Sequence, residues 1–152
     1  MPLQSDVHQI DRSRCLSVLA RAPAIEVKHF ADDLIPSLGT ITVLKNRTGL
    51  VMLPMNEPVK GTTFYLGEVL VAEARVHAAK AEGYAACLGR DVEQALALAL
   101  IDVANAACLA QPEIAVFLEA QAARLAEADH QLLRQVEATR VEMETFEWLM
   151  SK

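Results

Sequence analysis

Two stretches carry the side chains best suited to chemistry. Glu73, Arg75 and His77 stand at every second position, so an extended backbone puts an acid, a cation and an imidazole on one face. Such a set can form a polar site. On a solvated sheet face the same residues form cross-strand pairs. The second stretch, Lys60-Gly61-Thr62-Thr63, offers an ammonium, two hydroxyls and free backbone N–H groups to a phosphate. It closes a polar segment from Pro54 to Thr63 that also reads as a solvated connection. The G-x-x-x-x-G-K pattern of a nucleotide-binding loop is absent. Asp102 stands in a nearly all-apolar run, where an acid is either catalytic or paired with an arginine or a backbone N–H.

Other chemistries find little support. His8, His29, His77 and His130 show no metal-ligand spacing, and no metal site is expected. No G-x-S-x-G elbow occurs. Cys15, Cys87 and Cys108 are odd in number and far apart, which reads as reduced core thiols. No cysteine has the basic local sequence that would lower its pKa.

The elements that must position these residues follow from composition and period. At 152 residues one domain is expected, spanning 1–152. Apolar residues make up 53% and aromatics 5%, so Ala, Leu and Val must build the core. The net charge of −6 gives no general attraction to nucleic acid or anionic lipid. No apolar run is long enough for a membrane span, and the N-terminus lacks the regions of a signal peptide. The expected location is the cytoplasm.

Residues 1–9 look frayed, and 10–38 read as helices. Ile10 to Arg21 carries an amphipathic pattern. Pro23 suits the first turn of a second helix, which Pro36 stops and Gly39 leaves. Residues 40–90 read as an antiparallel sheet of two tandem hairpins, about four strands. Ile41–Leu44 and Leu50–Leu53 flank an Asn46-Arg47-Thr48-Gly49 turn. Val69–Ala78 and Tyr84–Leu88 flank a turn marked by Gly83. Leu70, Ala72, Ala74, Val76 and Ala78 form the buried face of the longer strand.

Residues 91–150 read as helices. Asp91 and Gln94 have the spacing of a capping box and open an apolar helix, Val92–Leu109. Gln111-Pro112 starts the last segment, with a break expected near Ala128-Asp129-His130. The whole is an α+β fold: a small antiparallel sheet packed by N-terminal and C-terminal helices.

Thr62 to Asp91 also carries a resemblance. L-G-E before a strand, a Gly-containing turn, and L-G-R-D opening an Ala/Leu helix resemble the small G subunit of the bacterial carbon–phosphorus lyase core complex. Arg14–Ala20 resembles that family's opening helix, Thr48–Met52 its first hairpin, and Ala99–Ala104 its later helix. The similarity covers roughly residues 12–148, with Glu73 where the family usually has arginine.

The resemblance implies a subunit of phosphonate metabolism. With partner subunits it would replace the adenine of ATP by an alkylphosphonate, giving a ribose 1-phosphonate 5-triphosphate. The main catalytic groups are then expected on a partner, with no cofactor bound by this chain. Candidate ligand or partner contacts are Lys60, Gly61, Thr62, Thr63, Gly67, Glu68, Arg75, His77 and Arg90. The alternative is a stand-alone homo-oligomeric small-ligand binding protein of the same fold. A self-sufficient enzyme would have to use Glu68, Asp102 or His77.

Association is expected in either case. Helix Val92–Leu109 is apolar on nearly every side, more than one small sheet covers. A seam of Leu125, Leu132, Val136, Met143 and Phe146 repeats as two-helix interfaces do. Alone, the chain is expected to form a homodimer.

Overall fold

Alternation along one strand and an apolar helix above it organise the structure. The computed structural model describes residues 10–140. Its order is α1 (Arg12–Leu19), α2 (Ala24–Leu38), β1 (Thr42–Asn56), β2 (Thr63–Ala78), β3 (Ala81–Leu88), α3 (Val92–Ala106) and α4 (Gln111–Ala138). The sheet is antiparallel in the order β1-β2-β3. Ala72, Ala74, Val76 and Ala78 of β2 and Ala85 and Cys87 of β3 bury one face, whereas Leu70, expected on that face, lies just past the end of the β3 pairing and is exposed. α3 packs on that face, with α2, α1 and α4 around it.

This is the expected α+β arrangement of two hairpins packed by helices, but the hairpins share β2, so there are three strands rather than four. The expected turn at Asn46–Gly49 does not form. Those residues lie within β1 and pair with Ala74 to Val71. A ladder along the whole of β2 satisfies their backbone groups, which outweighs the local turn preference. The loop expected over Pro54–Thr63 shrinks accordingly. Pro54, Met55 and Asn56 pair with Tyr65, Phe64 and Thr63. The reversal is closed by Gly61 N–H donating to Glu57 O at 2.9 Å and Glu57 N–H donating to Thr62 O at 3.0 Å.

Gly83 is not a turn residue. The turn is made by Ala79 and Lys80, at φ 48° and 63°. Gly83 lies inside β3 opposite Val76, where α3 crosses. Pro36 does not stop α2, which runs two residues further to Leu38. A proline in the last turn removes one hydrogen bond near an end that frays in any case. Gly39, at φ 70°, then ends the helix.

Two expectations about the helices are also corrected. α3 is not in need of an outside partner: all but one of the residues from Ala95 to Asn105 are buried within this chain. The sheet covers one side and three helices cover the rest, so its apolarity does not argue for association. α4 does not break near Asp129. Its 28 residues form one helix about 42 Å long. Arg21 donates to Asp129 at 2.7 Å, which ties the middle of α4 to the body. Residues 131–138 then project with their side chains exposed.

Asp91 caps α3: its Oδ1 accepts from Gln94 N–H at 2.9 Å, and Lys28 Nζ lies 2.9 Å from its Oδ2. The Lys28 contact and that N–H hold the Asp91 carboxyl below its usual range. Asp91→Ala is expected to cost about 1 kcal/mol, the scale of a lost N-cap. Chemical denaturation measures it, and an unchanged midpoint would mean that the cap adds nothing to α3.

Candidate functional site

The extent of β3 decides which residues can meet. The strand pairs with β2 only from Val71 to Ala78. Beyond Val71, β1 and β2 continue alone as a two-stranded arm, with its tip at residues 57–62. The candidate residues are distributed along it. Lys60, Gly61, Thr62 and Thr63 sit at the tip, where Thr63 Oγ1 donates to Asn56 Oδ1 at 2.7 Å. Gly67 and Glu68 lie part-way down, opposite Leu53 and Met52. Arg75 and His77 are at the root, on the sheet face away from α3. Thr63 and Arg75 belong to one extended strand, and their separation along it is roughly 40 Å at about 3.3 Å per residue. The tip and the root cannot form one site within a single chain. Arg90 is elsewhere again, at the β3–α3 junction after Gly89 at φ 96°.

At the root the polar groups satisfy one another. Glu73 Oε1 accepts from Arg47 Nε at 2.7 Å, and Lys45 Nζ lies 3.6 Å away. Glu73 Oε2 accepts from the Tyr84 hydroxyl at 3.0 Å. The Arg47 and Tyr84 hydrogen bonds hold the Glu73 carboxyl below its usual range. Burial, and then the bond to Glu73, raise the Tyr84 hydroxyl. Arg75 lies over the Tyr84 ring, 5.8 Å from its centroid. Arg75 also stands directly opposite Lys45, and His77 opposite Glu82. The face is a set of cross-strand pairs around one carboxylate, with surplus cations at its edge.

Asp102 has both kinds of partner that an acid in an apolar helix requires. Arg12 donates through Nε to Oδ1 at 2.8 Å and through a terminal nitrogen to Oδ2 at 2.6 Å. Tyr84 N–H donates to Oδ2 at 2.8 Å. The carboxylate thus ties α1, α3 and β3 together. Arg12 is the member that sequence reasoning missed, because no local spacing links it to a residue ninety positions on.

Cys15 and Cys87 are buried core thiols, and burial pushes Cys15 up to about 11. Cys108 corrects the expectation for all three: it is exposed, in a left-handed turn at φ 55° after α3. Among the described residues no group of three His, Cys, Asp or Glu side chains gathers as a metal site, and no helix is long and apolar enough to cross a membrane.

The apolar surfaces are more prominent than the polar ones. Leu50, Val51, Met52, Leu53, Met55, Phe64, Tyr65 and Leu66 of the arm are all exposed. The register places Val51 and Leu53 with Val69 on one face of the ribbon, and Leu50 and Met52 with Leu70 on the other. On α4, Leu125 is half-buried beside Val18 of α1 and Arg21 in the turn that follows it, whereas Leu132 and Val136 are exposed. Met143 and Phe146 lie outside the described residues. A third surface is an open apolar groove by Pro112 and Val116, where the Phe30 and Phe117 rings stack with centroids 4.2 Å apart.

Residues 10–147 match the family described as phosphonate metabolism protein PhnG. No curated protein matches the chain.

Proposed function

Because the chain belongs to the PhnG family of phosphonate metabolism proteins, we propose that it is a non-catalytic subunit of a carbon–phosphorus lyase core assembly. In that assembly it supports formation of a ribose 1-alkylphosphonate 5-triphosphate from ATP and an alkylphosphonate. The main catalytic groups belong to a partner subunit. This chain supplies binding surface, carries no cofactor and works in the cytoplasm.

The fate of its own reactive side chains carries this reading. Those that meet satisfy one another, as Glu73 does with Arg47 and Tyr84, and Asp102 with Arg12 and the Tyr84 N–H. Those that do not meet are strung along the arm from Lys60 to His77. Neither arrangement presents an acid, base or nucleophile to a bound small molecule. A stand-alone ligand-binding role would require those groups in one pocket, and the arm holds them apart.

Alone, the chain associates as a homodimer through α4. Exposed Leu132 and Val136, one turn apart on the projecting end of that helix, favour this contact. Chain omission tests the subunit role: adenine release from ATP with methylphosphonate, measured with and without this chain.

A further inference from the structure

We propose that the β1–β2 arm from Thr48 to Val71 is clasped on both faces by a mainly apolar cleft in a different polypeptide. The inference rests on the subunit reading above and names the surface through which that subunit is held. An isolated two-stranded ribbon is at best marginally stable in water. Here the ribbon leaves the sheet where β3 ends, and no helix of the described residues packs on its outer half. Most of its large apolar side chains are exposed, from Leu70 at 36% to Val59 at 83%, with Val69 and Val71 half-buried near the root.

Three features fix the kind of occupant. The apolar side chains lie on both faces: Val51, Leu53 and Val69 on one, Leu50, Met52 and Leu70 on the other. A second copy stacking its own arm would cover one face and leave the other wet. Pairing β1 with β1 of a second copy edge to edge would cover neither. Only a cleft that closes from both sides buries the whole set. The chemistry of the cleft follows from charge. Neither Thr48–Asn56 nor Gly61–Gly67 contains a charged residue, and the arm's charges are Glu57 and Lys60 at the tip and Glu68 opposite Met52, so the walls are mainly apolar, with a polar or basic group where Glu68 meets them. The free backbone edges of β1, and of β2 before Val71, can also take a strand from the cleft wall. Size agrees as well, since Thr48 to Val71 supplies the roughly 20–30 residues that one side of a standard interface uses.

The test places carboxylates on one face at a time in the full chain. Val51→Asp with Val69→Asp alters one face, and Leu50→Asp with Met52→Asp alters the other. The companion core subunits, co-expressed with each variant, are followed by size-exclusion co-elution and a titrated affinity. The thermal midpoint of each purified variant reports the body. Threonine at the same positions keeps strand preference and replaces the aspartates if they disturb pairing.

Each face alone is expected to weaken association at least tenfold while the midpoint of the body stays in place. If only one face matters, or neither does, the two-sided cleft is wrong. A homodimer of the isolated chain that either pair of substitutions dissociates would make the occupant a second copy and also overturn the proposal. If the unsubstituted chain does not co-elute with the companion subunits at all, the subunit reading itself fails.

Discussion

Gly83→Ala is expected to destabilise the chain by about 3 kcal/mol, the upper end of the overpacking range. Gly83 faces α3 from the middle of β3. A Cβ there would sit 2.6 Å from the Val103 nitrogen and 2.8 Å from the Val103 Cβ, and closer still to the Ala99 carbonyl oxygen. Two of those three atoms are helix backbone, which cannot rotate away as a flexible side chain would. The methyl group must push α3 off the sheet at a point where helix and strand backbones approach closely. Gly49→Ala is the control. Its added Cβ would meet nothing within 4 Å, and its φ is not positive, so a change within about 0.5 kcal/mol is expected. Denaturant titration of both variants checks the pair. A Gly83→Ala midpoint equal to that of Gly49→Ala would mean that α3 rides higher than the structure places it.

Asp102→Ala is expected to cost about 2–3 kcal/mol, mainly because it orphans a part-buried N–H and empties a buried site. Three bonds end on this carboxylate, and its side chain is 1% exposed. The share due to Arg12 is discounted because that side chain is 57% exposed and can turn to water. Asp102→Asn should recover part of the loss, since an amide oxygen can still accept from Tyr84 N–H. In the assembled complex, activity should follow stability through this series. Loss of activity in a stably folded Asp102→Asn chain would give Asp102 a chemical role and contradict the structural one.

Period was the most legible signal. Strict alternation from Leu70 to Ala78 identified the core strand despite its helix-favouring alanines, and Ala72, Ala74, Val76 and Ala78 are all buried. The N-cap at Asp91 was readable because capping depends on residues three apart. Turn signals were less reliable. Asn46-Arg47-Thr48-Gly49 reads as a reversal, yet a neighbouring strand absorbs it. Ala79 and Lys80 make a real turn with residues that rarely adopt positive φ. Gly83 was visible as a glycine but not as the point where a helix touches a strand, because that requirement lies twenty residues ahead, in Val103. The apolarity of α3 is plain in the sequence and its consequence is not: sequence cannot say which side of an apolar helix its own chain will cover.

For the candidate site, the residue types were legible and their separation was not. Lys60 and Arg75 are both candidate contacts by residue type, and the segment between them reads as loop and strand. Continuous pairing of β1 with β2 straightens that segment into an arm and keeps the two from sharing one site. Glu73 gained meaning only through Arg47, its partner across the sheet.

A required but non-catalytic subunit is tested by adenine release from ATP in the presence of methylphosphonate, measured for this chain alone, for the companion core subunits without it, and for the complete set. No release is expected from the isolated chain, release from the complete set, and loss of that release when the chain is left out. Turnover by the isolated chain, or full activity of the companion subunits without it, would contradict that role.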